Sequence, residues 1–484
     1  RAYREGRGTH VPLLHPLAVG DLILMRTTRG VAAFDLATGD RLWQHPTDDD
    51  ANNAGVDRLL WREPAGGAFA ADAECFYLLE GVHSGGHEGT AAAVLSAREH
   101  FQSRQGRLRW QVGGADGGHE PALAGVLFLG PPLSWQGRLY VEIENRGAIS
   151  LAALDVRTGR LEWLQELALV EESLGVDPFR KLAGATPSLS AEEIIVCPTS
   201  GGAVVAVDLT TQSLLWAYRY ARRPQTTVAQ DGEFEGLNQP ALDQHERWLD
   251  GTVTIERDCA VLAPPESGEL HCLDLHDGHP LWTQPRGDGL YVAGITEDSI
   301  IVVGRSQVRA LRRTDGQPAW NAPVALPGSV FASGRGVFGQ DGYYLPVTNG
   351  GILQINLKTG SVVGDYRSVR EIAPGNLIWH RGSFLSLGPD YLQAFNERDA
   401  VERQVRERLE RNPADATALL RRGELELTAG RIDDALAAFR QAHAAAPSGR
   451  TRSKLTSTLL DALRTERADR RELSRELDQL AEER

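Results

Sequence analysis

Chemistry in this chain would have to come from a few residues. Four cysteines, Cys75, Cys197, Cys259 and Cys272, stand apart, with no CxxC, CxxCH or adjacent pair. That spacing argues against thioredoxin-type redox, c-type haem attachment and close-spaced zinc sites. Cys259 and Cys272 flank a turn at residues 264–268, so a cross-strand disulfide needs their strands in register; buried free thiols are the alternative. His83, His87 and Glu88 lie in a glycine-rich stretch, Gly81-Val-His-Ser-Gly-Gly-His-Glu-Gly. Two imidazoles and a carboxylate suit a metal, but ordering so floppy a loop costs entropy, and an exposed loop is expected. His271, His276 and His279 cluster around one turn and read as turn residues. Asp48, Asp49, Asp50, Asn52 and Asn53 offer hard oxygens without the spaced alternation of a Ca²⁺ loop, which reads as a solvated insertion. No GxSxG, HExxH, phosphate-binding loop or dinucleotide fingerprint occurs, so no catalytic residue and no metal ligand is assigned.

The elements that would position such residues are bounded by composition. The chain has 484 residues, 42% of them hydrophobic, enough for a large core. Mean hydropathy is −0.29, and no run of about 18 apolar residues could span a membrane. A net charge of −14 repels phosphate backbones and anionic lipid, so nucleic acid is excluded as a partner. Lysine occurs only at 181, 358 and 454, and Met25 is the sole methionine. The chain starts at Arg1 without a signal-peptide pattern, and is expected to be part of a longer product.

One repeat organises the sequence: a small residue, x, Asp, two residues, Thr or Asp, Gly, three residues, Trp. Clear copies are Ala33–Asp35–Thr38–Gly39–Trp43 and Ala153–Asp155–Thr158–Gly159–Trp163. Looser copies end in Trp216, with Gln212 in place of Gly, in Trp282 after Gly278, and in Trp320 after Gly316. Asn356–Thr359–Gly360 ends in Gly364, Gln105–Gly106–Trp110 keeps only the end, and Ala394–Asn396–Asp399 only the beginning. Each copy lies between two β-like runs, so the motif is a hairpin turn. Asp and Thr bond the local backbone, Gly takes the positive-φ position, and Trp supplies an apolar face that only stacking on the next unit can bury. Eight such units predict an eight-bladed β-propeller.

The pattern resembles the repeat of pyrroloquinoline-quinone (PQQ)-type propellers over roughly residues 10 to 400. The resemblance implies that Trp43, Trp110, Trp163, Trp216, Trp282 and Trp320 dock neighbouring blades. It also implies a propeller over residues 1–397, whose last blade is completed by the N-terminal run at residues 11–18, since closure removes open edges. The enzymes of that class hold a quinone over a Trp with Ca²⁺ held by Glu, Asn and Asp. No such ligand set matches here by spacing, so no cofactor is expected, with PQQ and Ca²⁺ as the alternative.

From about Arg398 the composition turns to Ala, Leu, Arg and Glu. Leu419, Gly423, Gly430, Ala435, Phe439, Ala442 and Pro447 fall at tetratricopeptide (TPR) spacing, and residues 398–484 resemble a TPR-like helical region. Small residues at Gly423 and Ala435 allow close helix packing, Phe439 fills the gap, and Pro447 ends the second helix. Arg422 and Glu426 depart from the pattern, replacing an apolar and an aromatic residue. The insertion at residues 219–251, with Arg222, Arg223 and Trp248, is a candidate recognition loop. These features imply a non-catalytic scaffold of the bacterial envelope, periplasmic or otherwise extracytoplasmic by resemblance, that binds protein partners. A PQQ- or metal-dependent oxidoreductase and a structural surface component are the alternatives.

Overall fold

In the computed structural model the described residues are 15–27, 30–36, 38–45, 69–80, 94–100, 106–174, 180, 184–222, 251–367, 372–387, 391–396, 398–464 and 470–482. Eight antiparallel sheets follow one another as the blades of a propeller. Blade 1 spans residues 17–45, blade 2 residues 69–118, blade 3 residues 127–169 and blade 4 residues 188–219. Blades 5 to 8 span residues 254–285, 289–325, 337–367 and 376–396. Most have four strands laid side by side in chain order, because each short hairpin returns the chain beside the strand it left. Strand alternation sends successive side chains to the two neighbouring blades. In blade 3, Leu139, Val141 and Ile143 pack toward blade 2 with Tyr77 and Leu95. Tyr140 packs toward blade 4 with Ile195 and Cys197.

The closing strand differs from expectation. Leu17–Val19 pairs with Leu22–Thr27, Leu17 opposite Leu24, as the first strand of blade 1. The reason is local: Gly20 at φ 61° makes a tight hairpin that folds the run onto its sequence neighbour. Leu17 and Ala18 therefore do not complete blade 8, and residues 11–14 lie outside the described residues. Blade 8 has three strands among the described residues.

By contact the chain forms two units, one of residues 1–35, 40–379 and 385–393, the other of residues 36–39, 380–384 and 394–484. The second carries helices α1 (Arg398–Arg411), α2 (Ala416–Thr428), α3 (Ile432–Ala445), α4 (Gly449–Arg464) and α5 (Arg470–Glu482). The Asp415 carboxylate caps α2 by accepting from the Ala418 amide at 3.0 Å. Leu419, Ala435, Leu436, Phe439, Ala442, Leu455 and Leu459 form its buried core.

Candidate functional site

The repeat motif builds both a turn and a latch. In blade 3 the Asp155 carboxylate accepts from the Thr158 amide at 2.9 Å and its hydroxyl at 2.7 Å. Those bonds hold the Asp155 carboxyl below its ordinary range. Asp208, Asp274 and Asn356 accept in the same way from amides two and three residues on. The small residue pairs directly with the Trp: Ala33 with Trp43, Ala97 with Trp110, Ala153 with Trp163, Ala206 with Trp216 and Cys272 with Trp282. A register shift follows each small residue, the bulge that turns the indole toward the next blade.

There the indole meets the next motif's glycine. A Cβ on Gly159 or on Gly316 would come within 2.7 Å of the ring of Trp110 or Trp282, respectively. A Cβ on Gly278 under Trp216, or on Gly360 under Trp320, would come closer still, at 2.4 Å. Each indole N–H donates to a backbone carbonyl of that turn: Trp110 to Val156 at 3.0 Å, Trp216 to Leu275 at 2.7 Å, Trp282 to Arg313 at 2.8 Å and Trp320 to Leu357 at 2.9 Å. The glycine is thus more than a turn residue; it is the plate on which the neighbouring Trp lies. Trp320 does so from outside a strand, since the outer strand Val324–Ala325 follows it.

Two tryptophans depart from this arrangement. Trp43 is buried and stacks on Phe76 of blade 2 at 5.7 Å, while Gly106 faces His45 instead. Trp163 is half-buried against the apolar cluster between blades 3 and 4. The position that would receive it is Gln212, at φ 54°.

Among the buried ionisable residues that sequence reasoning missed, two occupy one equivalent strand position, visible only once strand register is known. Counting two residues past the partner of the motif's small residue, the second strand carries buried Leu79, Pro198, Ala263, Val303 and Pro346 in blades 2, 4, 5, 6 and 7. Blade 1 carries Arg26 there and blade 3 carries Glu142. Glu142 is 0% exposed, and neither carboxylate oxygen has a partner among the described residues. Burial pushes its carboxyl well above the usual range. It shares its face with Glu144, which pairs with buried Arg180 at 2.7 Å.

The helical residues expected to pack do so: Leu419, Gly423, Ala435, Phe439 and Ala442 are buried, with Gly423 against the Phe439 ring. Pro447 is exposed, two residues beyond the end of α3. A groove of about 510 Å³ runs between α1 and α2 over a floor of Val405, Leu409 and Leu425. Arg406, Arg422 and Glu426 stand on its walls, so both departures from the TPR pattern face it. Arg431 donates to Glu426 there.

The remaining candidates scatter. Arg222 is exposed at the end of blade 4, whereas Arg223 and Trp248 lie outside the described residues, as do His83, His87, Glu88 and residues 48–53. His276 and His279 are exposed turn residues, bonded to Glu192 at 2.9 Å and to Asp277 at 2.8 Å. His271 is instead a buried strand residue, its ring centroid 5.6 Å from Tyr218 and 5.4 Å from Tyr220, and burial lowers its pKa. Cys259 lies opposite Asp274 and Cys272 opposite Val261, so the two thiols are diagonal neighbours. Diagonal positions are about 7–8 Å apart, beyond an unstrained disulfide, and both cysteines are free and buried. Among the described residues no three His, Cys, Asp or Glu side chains are grouped to hold a metal ion.

Comparison with known proteins places this architecture. Over 311 residues the chain is 24% identical to the outer membrane protein assembly factor BamB of Burkholderia pseudomallei (strain K96243), covering 63% of this chain and 64% of that protein. BamB from Moraxella catarrhalis shares the fold, with a TM-score of 0.51 at 16% identity over 79% of this chain and 96% of that one. The computationally designed Ika8 protein superposes with a TM-score of 0.50 at 11% identity, over 81% of this chain and 98% of that one. The PQQ-like repeat family described as outer membrane protein assembly factor BamB matches at residues 27–247 and 238–376, and the chain belongs to that family.

Proposed function

We propose that the protein is a non-catalytic, extracytoplasmic scaffold that binds protein partners during outer-membrane assembly. The family match over residues 27–376 carries this reading. The blade seams support it, because apolar side chains fill the space between neighbouring sheets and leave loops and helices as the recognition surfaces. The groove between α1 and α2 supplies an apolar floor with charged walls, the surface chemistry of a peptide site. TPR-like recognition by these helices is part of the proposal.

The test is a photo-crosslinking residue in place of Arg422 in the full chain, expressed in a bacterium with an outer membrane. A discrete crosslinked envelope protein, lost on Arg406→Glu, is expected. Crosslinks that stay diffuse or cytoplasmic would overturn the helical-groove reading. Saturable PQQ binding in the presence of Ca²⁺, with turnover of alcohols or aldose sugars, would replace it with an oxidoreductase.

A further inference from the structure

From blade 2 to blade 7 the propeller is held by latches at four seams, between blades 2 and 3, 4 and 5, 5 and 6, and 6 and 7. At the seam between blades 3 and 4 the Trp is present and the plate is not. Any residue with a Cβ at the glycine position intrudes on the ring that should lie there, and Gln212 has one. The same seam buries Glu142, whose carboxylate has no partner among the described residues and faces blade 4 from the side of the strand that carries Tyr140. Burying an unpaired acid is costly, and five other blades fill the equivalent position with an apolar residue. Polar ties at this seam among the described residues include the Ala185 amide to the Leu129 carbonyl at 2.9 Å, where the chain enters blade 4, and the buried Glu144–Arg180 pair; Gln136 to Glu193 at 3.1 Å is solvent-exposed and adds little.

We propose that the seam between blades 3 and 4 is a built-in opening point of the ring, parting ahead of its latched neighbours and exposing Cys197. At rest the apolar cluster of Tyr140, Leu151, Ile195 and Val207 keeps it shut, so the open form is a minor population in exchange with the closed one. This goes beyond the scaffold reading and does not depend on it.

The molecule carries its own probes. Cys197 packs in this seam, Cys75 in the latched seam between blades 2 and 3, and Cys259 and Cys272 in the latched seam between blades 5 and 6; all four are buried and free. The experiment treats the native full chain with N-ethylmaleimide and follows each cysteine by peptide mass. Cys197 is expected to react about tenfold faster than the other three, as local opening does. Gln212→Gly should supply the plate and slow Cys197 about tenfold while leaving the others unchanged. Gln212→Asn relieves the left-handed turn but keeps the Cβ, so Cys197 should stay fast. Equal rates at all four cysteines in the native chain would overturn the proposal. So would equal slowing by Gln212→Asn and Gln212→Gly, because turn strain rather than the missing latch would then govern the seam.

Discussion

Glu142 shows how one buried side chain sets a pH dependence. Its folded pKa lies above the ordinary Glu value because burial disfavours the carboxylate. Its favourable state is therefore fully kept below the unfolded pKa and is lost as pH rises toward the folded one. Between those two values stability should fall by about 1.4 kcal/mol per pH unit from this group alone. Burial likewise pushes the Cys197 thiol and the Tyr220 phenol upward, so both stay neutral beside it. Glu142→Gln should remove that slope: urea melts of variant and parent should nearly coincide near pH 5 and separate in favour of the variant at pH 8. A variant no more stable than the parent at pH 8 would show that the carboxyl finds a partner. The position reads as an ordinary strand residue in sequence, since only the register of residues 138–145 against residues 148–155 turns it inward.

At the level of elements, the turn–Trp motif serves two purposes that a matched pair of substitutions separates. Gly39 and Gly159 both hold positive φ, 73° and 71°, but an added Cβ meets nothing at Gly39 and the Trp110 ring at Gly159. Gly39→Ala should cost about 1 kcal/mol from backbone strain alone. Gly159→Ala should cost about 1–3 kcal/mol more, from displacing a docked indole. Chemical denaturation at fixed pH measures both, and equal losses would mean the indole moves aside freely. The hairpin half of this element is legible in sequence, because Asp, Thr and Gly act on their own backbone. The plate half is not, because it depends on a residue from a different repeat. Local chemistry also decides where Leu17–Val19 pairs: a two-residue hairpin at Gly20 and Asp21 is a stronger demand on these residues than ring closure.

For the whole molecule, two units with separate apolar cores imply two unfolding events. Phe439 is 0% exposed in the helical core and belongs to no propeller cluster. Phe439→Ala should remove about 3–5 kcal/mol from that unit. Thermal circular dichroism should then show the helical signal at 222 nm melting earlier while the sheet signal keeps its midpoint. A single transition shifted as one would mean the two units fold cooperatively.

Sequence alone determined the number of blades, the hairpin motif, the change of material near Arg398 and the packing residues of the helices. These follow from periodicity and from interactions within a few residues, which repeat wherever the motif does. Tertiary structure alone decided which Trp finds a plate, that Glu142 and Arg26 turn inward, that Cys259 and Cys272 are diagonal, and that Arg422 and Glu426 share a groove. Each of those depends on register or on a partner from another blade or helix, and a side chain's chemistry in a propeller is set by the neighbour across the seam.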